Sequence, residues 1–382
     1  MRNRRILATI TASAVIAAIL IAPSIAAGNS KNDCTAVDGD YIVTFTKGAT
    51  VANEIKNENG KQITPKYVYS EALNGFAGFL TGDQVCNLQK RGNVEDIELD
   101  QLAYTSVAEA TAIWGIDRID QVSLPLDNNY TYTSTGVNVD AYVLDTGIRT
   151  THSEYATRVK PGYSSITDGN GVSDCNGHGS HVSGTIGGST YGVSKIVSLI
   201  PVRVLGCDGS GSISGIISGI NWAISHHQST TKAVANMSLG GGISKALDTS
   251  VNNLIKDGVT VVVAAGNATA NACNTSPARV PNAITVAASN STDRLAWFSN
   301  YGKCVDIIAP GVAITSSIHT SDTATAVYEG TSMAAPHVAG VIARLLSANM
   351  SASSVLTTAS TGKISGLPSG TPNRLLYISP NN

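Results

Sequence analysis

Six stretches of the chain are apolar at successive positions: residues 137–144, 197–205, 233–239, 259–265, 283–288 and 305–309. A strand with one face in water alternates, so runs that stay mostly apolar at successive positions predict strands buried on both faces. Residues 214–226 and 243–256 lie between such runs and predict helices. A further helix is predicted after Ser332, because Val338, Val341, Ile342, Leu345 and Leu346 recur at i, i+3, i+4, i+7 and i+8. Ser332 is expected to be its N-cap. Buried strands alternating with helices predict an α/β domain with a mostly parallel central sheet flanked by helices. In such sheets the functional groups gather at the carboxyl ends of the strands.

The earlier part of the chain has a different pattern. Residues 41–45 and 72–80 predict strands and residues 51–56 and 82–91 predict helices, which together make a small α+β unit. Residues 100–110 are weakly patterned and are expected to be a linker. Residues 1–26 begin with Arg2, Arg4 and Arg5, continue as a largely apolar run and end in small residues, the pattern of a secretory leader. No other stretch approaches the roughly 20 apolar residues needed to cross a bilayer. The expected organisation is a leader over 1–26, a small domain over 27–106 and a large domain over 107–382. Secretion to the extracellular space and no membrane association after leader removal follow as expectations.

Charge changes little in this picture. With 25 basic and 27 acidic side chains, there is no basic surface for nucleic acid. The six cysteines change it more, because an exported chain uses them for disulfides before metal. Cys34 and Cys86 lie in one region and Cys175, Cys207, Cys273 and Cys304 in another; the four allow three pairings.

The candidate chemistry sits at element ends beside glycine. Asp145 closes the 137–144 run and is followed by Thr146-Gly147; His178 stands between Gly177 and Gly179; Ser332 opens the last helix. A serine hydroxyl becomes a nucleophile only when a base takes its proton and a third group orients that base. Asp145, His178 and Ser332 supply acid, base and nucleophile in that order, which differs from the order of chymotrypsin-like proteases and of α/β-hydrolases. His181, one turn beyond His178, is expected to pack under the helix. Cys175, His178 and His181 also have a spacing that can mimic zinc ligation, but no fourth ligand lies near them in sequence.

Asp145-Thr-Gly, His178-Gly-Ser-His and Gly330-Thr-Ser-Met-Ala resemble the three signatures of the subtilisin-like serine proteases. Residues 114–120, 235–241 and 372–377 are most similar to the proteinase K and aqualysin-type branch. Ser180, Ser183 and Ala335 depart from the usual threonine, alanine and threonine. The resemblance implies a subtilisin-like three-layer fold preceded by an inhibitory propeptide, and hydrolysis of protein or peptide substrates through an acyl-enzyme. It implies Asn267 as a second oxyanion donor and substrate-pairing edges at Gly209, Ser210, Gly211 and at Ser238, Leu239, Gly240. Ala264, Ala265 and Gly266 should line the pocket before the cut, which predicts apolar or aromatic preference with broad tolerance. Structural calcium is implied at Asp117, Asp120, Gln121, Asp127 and Asn129, and again at Asp306 with the carbonyls of Pro281 and Ala283; no organic cofactor is expected. The implied disulfides are Cys175–Cys207 and Cys273–Cys304, and we extend the pattern to Cys34–Cys86. The propeptide is expected to inhibit its own protease and to be cut off near Ser106–Val107, leaving a monomer.

Overall fold

The computed structural model describes residues 34–55, 63–104 and 113–381. The expected leader and the expected cleavage bond lie outside them. The strands are β1 (Gly39–Phe45), β2 (Tyr67–Tyr69), β3 (Gly75–Leu80), β4 (Val94–Leu99), β5 (Leu102–Tyr104), β6 (Val139–Asp145), β7 (Tyr163–Ser164), β8 (Ser198–Arg203), β9 (Ser210–Ser212) and β10 (Lys232–Met237). They continue with β11 (Thr260–Ala264), β12 (Ile284–Ser289), β13 (Ile307–Pro310), β14 (Ile314–Ser317), β15 (Thr325–Tyr328), β16 (Ser360–Thr361) and β17 (Arg374–Leu375). The helices are α1 (Val51–Glu54), α2 (Gly82–Gln89), α3 (Trp114–Ile119), α4 (His178–Gly187), α5 (Ile213–His226), α6 (Lys245–Lys256), α7 (Thr331–Ser347) and α8 (Ser354–Thr358).

The large sheet has the order β16-β17-β13-β12-β11-β10-β6-β8-β7, and all its pairs are parallel except β16–β17. Each of the six apolar runs is a strand of this sheet, and the reason is visible in β6 and β11. Val139, Ala141 and Val143 of β6 and Val262 and Ala264 of β11 enter one core with Val182, Ile186, Val338 and Ile342 of α4 and α7. Tyr142, Leu144, Val261 and Val263 point to the other face, into a core with α5 and α6. Successive strand residues therefore bury on opposite faces, which makes three layers.

Residues 39–99 fold as an antiparallel sheet of order β2-β3-β1-β4. Ile42, Tyr69, Ala72, Leu73 and Ala77 on its inner side share a core with residues of α5 and α6. Polar contacts fix the register of this docking. Asn221 Oδ1 accepts from the backbone N–H of Ser70, Glu71 and Ala72 at 3.1, 2.8 and 3.2 Å, and Asn253 Nδ2 donates to the Ala72 carbonyl. Glu98 accepts from the N–H of Lys245 and Ala246 and from Ser244 Oγ at the start of α6. Asp100 does the same at α5 through the N–H and Oγ of Ser214. The first N–H groups of a helix have no partner inside it, so each carboxylate meets a preformed site. Burial raises the pKa of both carboxyls.

Two expectations are corrected. Residues 100–110 are not simply a linker: β5 pairs antiparallel with β9, with Leu102 opposite Ser212 and Ala103 opposite Gly211. Nor is Ser332 the N-cap of α7. Gly330 holds that position and Ser332 lies inside the first turn.

Candidate active site

β6 carries Asp145 to the carboxyl edge of the sheet, and Gly147 turns the chain with φ 108°. α4 then approaches that turn closely: a Cβ on Gly179 would stand 2.1 Å from the Gly147 carbonyl oxygen. Only glycine permits this approach, and it brings His178 Nδ1 to 2.8 Å from Asp145 Oδ1 with both side chains fully buried. Asp174 holds the loop before His178. It accepts from Thr146 Oγ1, from the N–H of Asn176 and Gly177, and from the N–H of Ser180. Thr146 Oγ1 in turn accepts from Gly179 N–H. Arg203, buried beneath, donates to the Thr146 carbonyl and forms a paired contact with Asp168 at 2.7 and 2.6 Å. That guanidinium holds the Asp168 carboxyl well below the usual carboxylate range.

Ser332 stands 4 % exposed on α7, which packs against α4. Its Oγ donates to the Ser238 carbonyl at 3.3 Å, and its own carbonyl accepts from Ser238 Oγ at 2.8 Å. His178 Nε2 is buried and has no hydrogen-bond partner among the described residues. The structure thus joins Asp145 to His178 and leaves the other imidazole nitrogen free. His181 is held apart from this chemistry, as its position predicts. Its Nε2 meets the Ile314 carbonyl, its ring stacks on Tyr328, and burial pushes its pKa down to about 3.

Asn267 follows β11 and is fixed by its oxygen. Oδ1 accepts from Thr331 N–H at 2.9 Å and from Thr331 Oγ1 at 2.8 Å, which turns Nδ2 away from both. Thr331 Oγ1 also accepts from Gly266 N–H. Asn300 supports the same loop: it accepts from the N–H of Ala268 and Ala270 and donates to the Ala265 carbonyl. Thr331, Asn300, Thr146, Asp174 and Arg203 are the residues sequence reasoning missed. Only Asp174 gave a signal, as an acid a few residues ahead of a helix start.

The expected substrate edges follow β8 and β10 in the chain. Gly209 has φ 77°, and Ser210–Ser212 form β9, already paired with β5. Ser238 and Leu239 are buried, and Gly240 follows them at the end of β10. Ala264 and Gly266 precede Asn267, while the Ala265 side chain packs into a small core with Ala272, Ala278 and Ile308. Cys175 is bonded to Cys207 and Cys273 to Cys304, and no described cysteine is free. The disulfide removes Cys175 as a metal ligand.

At the first expected cation site, Gln121 Nε2 donates to Asp117 Oδ1 at 2.5 Å and to Asp127 Oδ1 at 2.9 Å. Asp120 Oδ2 accepts from Thr131 N–H, whereas Asp120 Oδ1 is buried without a partner. Asn129 donates from its backbone to Asp127 Oδ1. Burial first, and the charge of Asp127 after it, raise the pKa of Asp117 and Asp120. Uncompensated acids and an orphaned oxygen suit a hard cation. At the second, Asp306 Oδ2 accepts from Thr285 N–H and burial raises the pKa of its carboxyl; Pro281 and Ala283 lie in the turn before β12. Neither set gathers three His, Cys or carboxylate ligand atoms within 4.8 Å; among the described residues only Asp168 with the disulfide-bonded Cys175 and Cys207 does so.

Comparison with known proteins agrees with this geometry. Residues 135–363 match the subtilase family and residues 40–106 match the peptidase inhibitor I9 family. The chain is 51% identical over 316 residues to the extracellular serine proteinase of Thermus sp. (strain Rt41A), covering 81% of this chain and 77% of that one. It is 46% identical over 369 residues to alkaline serine exoprotease A of Vibrio alginolyticus, covering 90% of this chain and 68% of that one. The crystal structure of a cold adapted subtilisin-like serine proteinase aligns with TM-score 0.67 and 49% identity, covering 70% of this chain and 98% of that one. Strand-end acid, helix-start histidine and first-turn serine on a three-layer α/β fold, behind an inhibitor-type domain, show that this chain belongs to the subtilase family of serine endopeptidases.

Proposed function

We propose that the protein is a secreted endopeptidase in which Asp145, His178, Ser332 and Asn267 hydrolyse peptide bonds through an acyl-enzyme. The observation that carries this reading is the buried Asp145–His178 pair at 2.8 Å with His178 Nε2 left unpartnered. Substrate entry draws Ser332 Oγ from the Ser238 carbonyl to His178 Nε2, since catalytic hydrogen bonds tighten in the Michaelis complex. Oγ attacks the scissile carbonyl, His178 takes its proton and passes it to the leaving amine, and Asp145 stabilises the imidazolium. The tetrahedral oxyanion accepts from Ser332 N–H, in the first turn of α7 where helix N–H groups are free, and from Asn267 Nδ2. Water then repeats the cycle to release the acyl half.

Substrate binds extended, as a strand added to β9 and to residues 238–240; the pairing of β5 with β9 supports this mode. Ala264 and Gly266 offer no charge, which supports apolar or aromatic side chains before the cut. Residues 27–106 act as the inhibitory propeptide, removed by self-cleavage near Ser106–Val107. Cys34 pairs with Cys86 in the same reading. Asp117, Asp120, Gln121, Asp127 and Asn129, and Asp306 with the Pro281 and Ala283 carbonyls, would hold calcium, which would supply rigidity and no chemistry. The leader-like residues 1–26 and the extracellular relatives support export; among the described residues no helix is long and apolar enough to cross a membrane.

Peptides varied before the cut test the reading. Wild type should cleave best after phenylalanine, tyrosine or leucine, and Ser332→Ala should lose about 10⁴-fold or more in kcat. Best cleavage after lysine or arginine would overturn the specificity, and an active Ser332→Ala would overturn the mechanism.

A further inference from the structure

We propose that Glu329 and Trp297 form a subsite for a cationic side chain on the leaving-group side of the cleaved bond. The proposal rests on the endopeptidase reading above. Its starting point is a cavity of about 430 Å³ lined among others by Thr269, Arg294, Trp297, Val312 and Glu329. The topology gives the cavity its side. Along the carboxyl edge of the sheet the order is β13-β12-β11-β10-β6-β8. The two substrate edges follow β8 and β10, and Asn267 follows β11. The cavity lies beyond, because Arg294 and Trp297 follow β12 and Val312 follows β13. β5 lies along β9, on the flank that receives the acyl half. The half beyond Ser332 therefore leaves toward the cavity.

Glu329 lies three residues before Ser332 and Thr269 two residues after Asn267, so both cavity walls are continuous with the catalytic loops. Thr269 Oγ1 donates to the Trp297 carbonyl at 2.9 Å and Thr269 N–H to the Phe298 carbonyl at 2.9 Å, which fixes the tryptophan relative to Asn267. Trp297 is 76% exposed, more than any other large apolar side chain among the described residues, and its ring meets Phe298 edge-on at 5.5 Å. Glu329 is half-buried, and among the described residues no hydrogen bond or ion pair engages its carboxylate. Arg294 lines the same cavity but forms no ion pair with it; its guanidinium lies toward Gly366, with Nη2 3.7 Å from where a Cβ there would stand. A carboxylate and an exposed indole lining one cavity suit lysine or arginine, whose stem can cover the ring while its charge faces the carboxylate. An acidic side chain would meet like charge.

The test uses peptides identical up to the cleaved bond, with Arg, Ala or Glu at the first or second position beyond it. For wild type at low salt, kcat/KM for the arginine peptide should exceed that for the glutamate peptide by roughly tenfold at one of these positions. The ratio should shrink toward one in Glu329→Gln, reverse in Glu329→Lys, and fall in Trp297→Ala. Using the ratio cancels any general loss of active enzyme. Equal ratios in wild type and Glu329→Gln, or no preference in wild type, would overturn the subsite while leaving the protease reading intact. A failure of that reading looks different: Ser332→Ala would cleave all the peptides as wild type does.

Discussion

At the scale of single residues, Asn267 shows how a side chain is aimed. Its oxygen takes two hydrogen bonds from Thr331, so its nitrogen is the group left to donate, which supports the oxyanion role we propose for it. Losing one such donor costs about 10²–10³ in turnover, a figure measured on a subtilisin and carried over here as an expectation. Asn267→Ala should lower kcat by that factor with KM little changed; an equal loss expressed only in KM would contradict the role. Lys195 gives a second expectation. It lies over the Tyr130 ring at 5.5 Å, and burial lowers its pKa to about 8. Between that value and the ordinary lysine value near 10.4 the unfolded chain binds the extra proton, so stability rises with pH through this window. Above pH 10 Tyr130, raised to about 12 by burial, acts in the opposite sense. Urea unfolding of the Ser332→Ala protein should show a rise from pH 8 to 10 that Lys195→Met lacks. Asp145, His178 and Ser332 were legible in sequence because each stands beside glycine at an element end. Thr331 and Asn300 were not, since what they hold is backbone and side-chain atoms 30 to 65 residues away, which no local pattern announces.

Among the elements, the meeting of α4 and β6 sets the geometry of the Asp145–His178 pair. A methyl group on Gly179 would collide with the Gly147 carbonyl, and backbone cannot yield as a flexible side chain can. Gly179→Ala should therefore lower stability by about 1–3 kcal/mol, the range for overpacking, and lose more activity than stability because His178 moves with the helix. Thermal unfolding and peptide hydrolysis measured on the same sample check this; unchanged activity would refute it. The long strands were readable because burial on both faces makes them mostly apolar. β2 and β5 were missed for the opposite reason. Each has three residues, too few to show a period, and β5 exists through pairing with β9 more than a hundred residues later. The start of α7 slipped by two residues for a related cause: Ser332 is a good cap by residue type, but the chain places Gly330 there and turns the serine inward.

For the whole molecule, the account rests on two domains that fit each other. The small sheet docks on α5 and α6, its Glu98 and Asp100 meet the two helix starts, and β5 runs into the cleft along β9. A parallel sheet of non-local pairs folds slowly, and a template resting on two of its helices gives them a partner during folding. A chain arranged in this way should cut itself once folded. The measurement that tests this most directly is intact mass with N-terminal sequencing of wild type beside Ser332→Ala, both secreted from a protease-poor host. The account predicts a wild-type N-terminus near Val107 and a mutant that keeps residues 41–106 attached. If both forms retain those residues, or both lose them at the same bond, Ser332 does not process its own chain and the central claim fails.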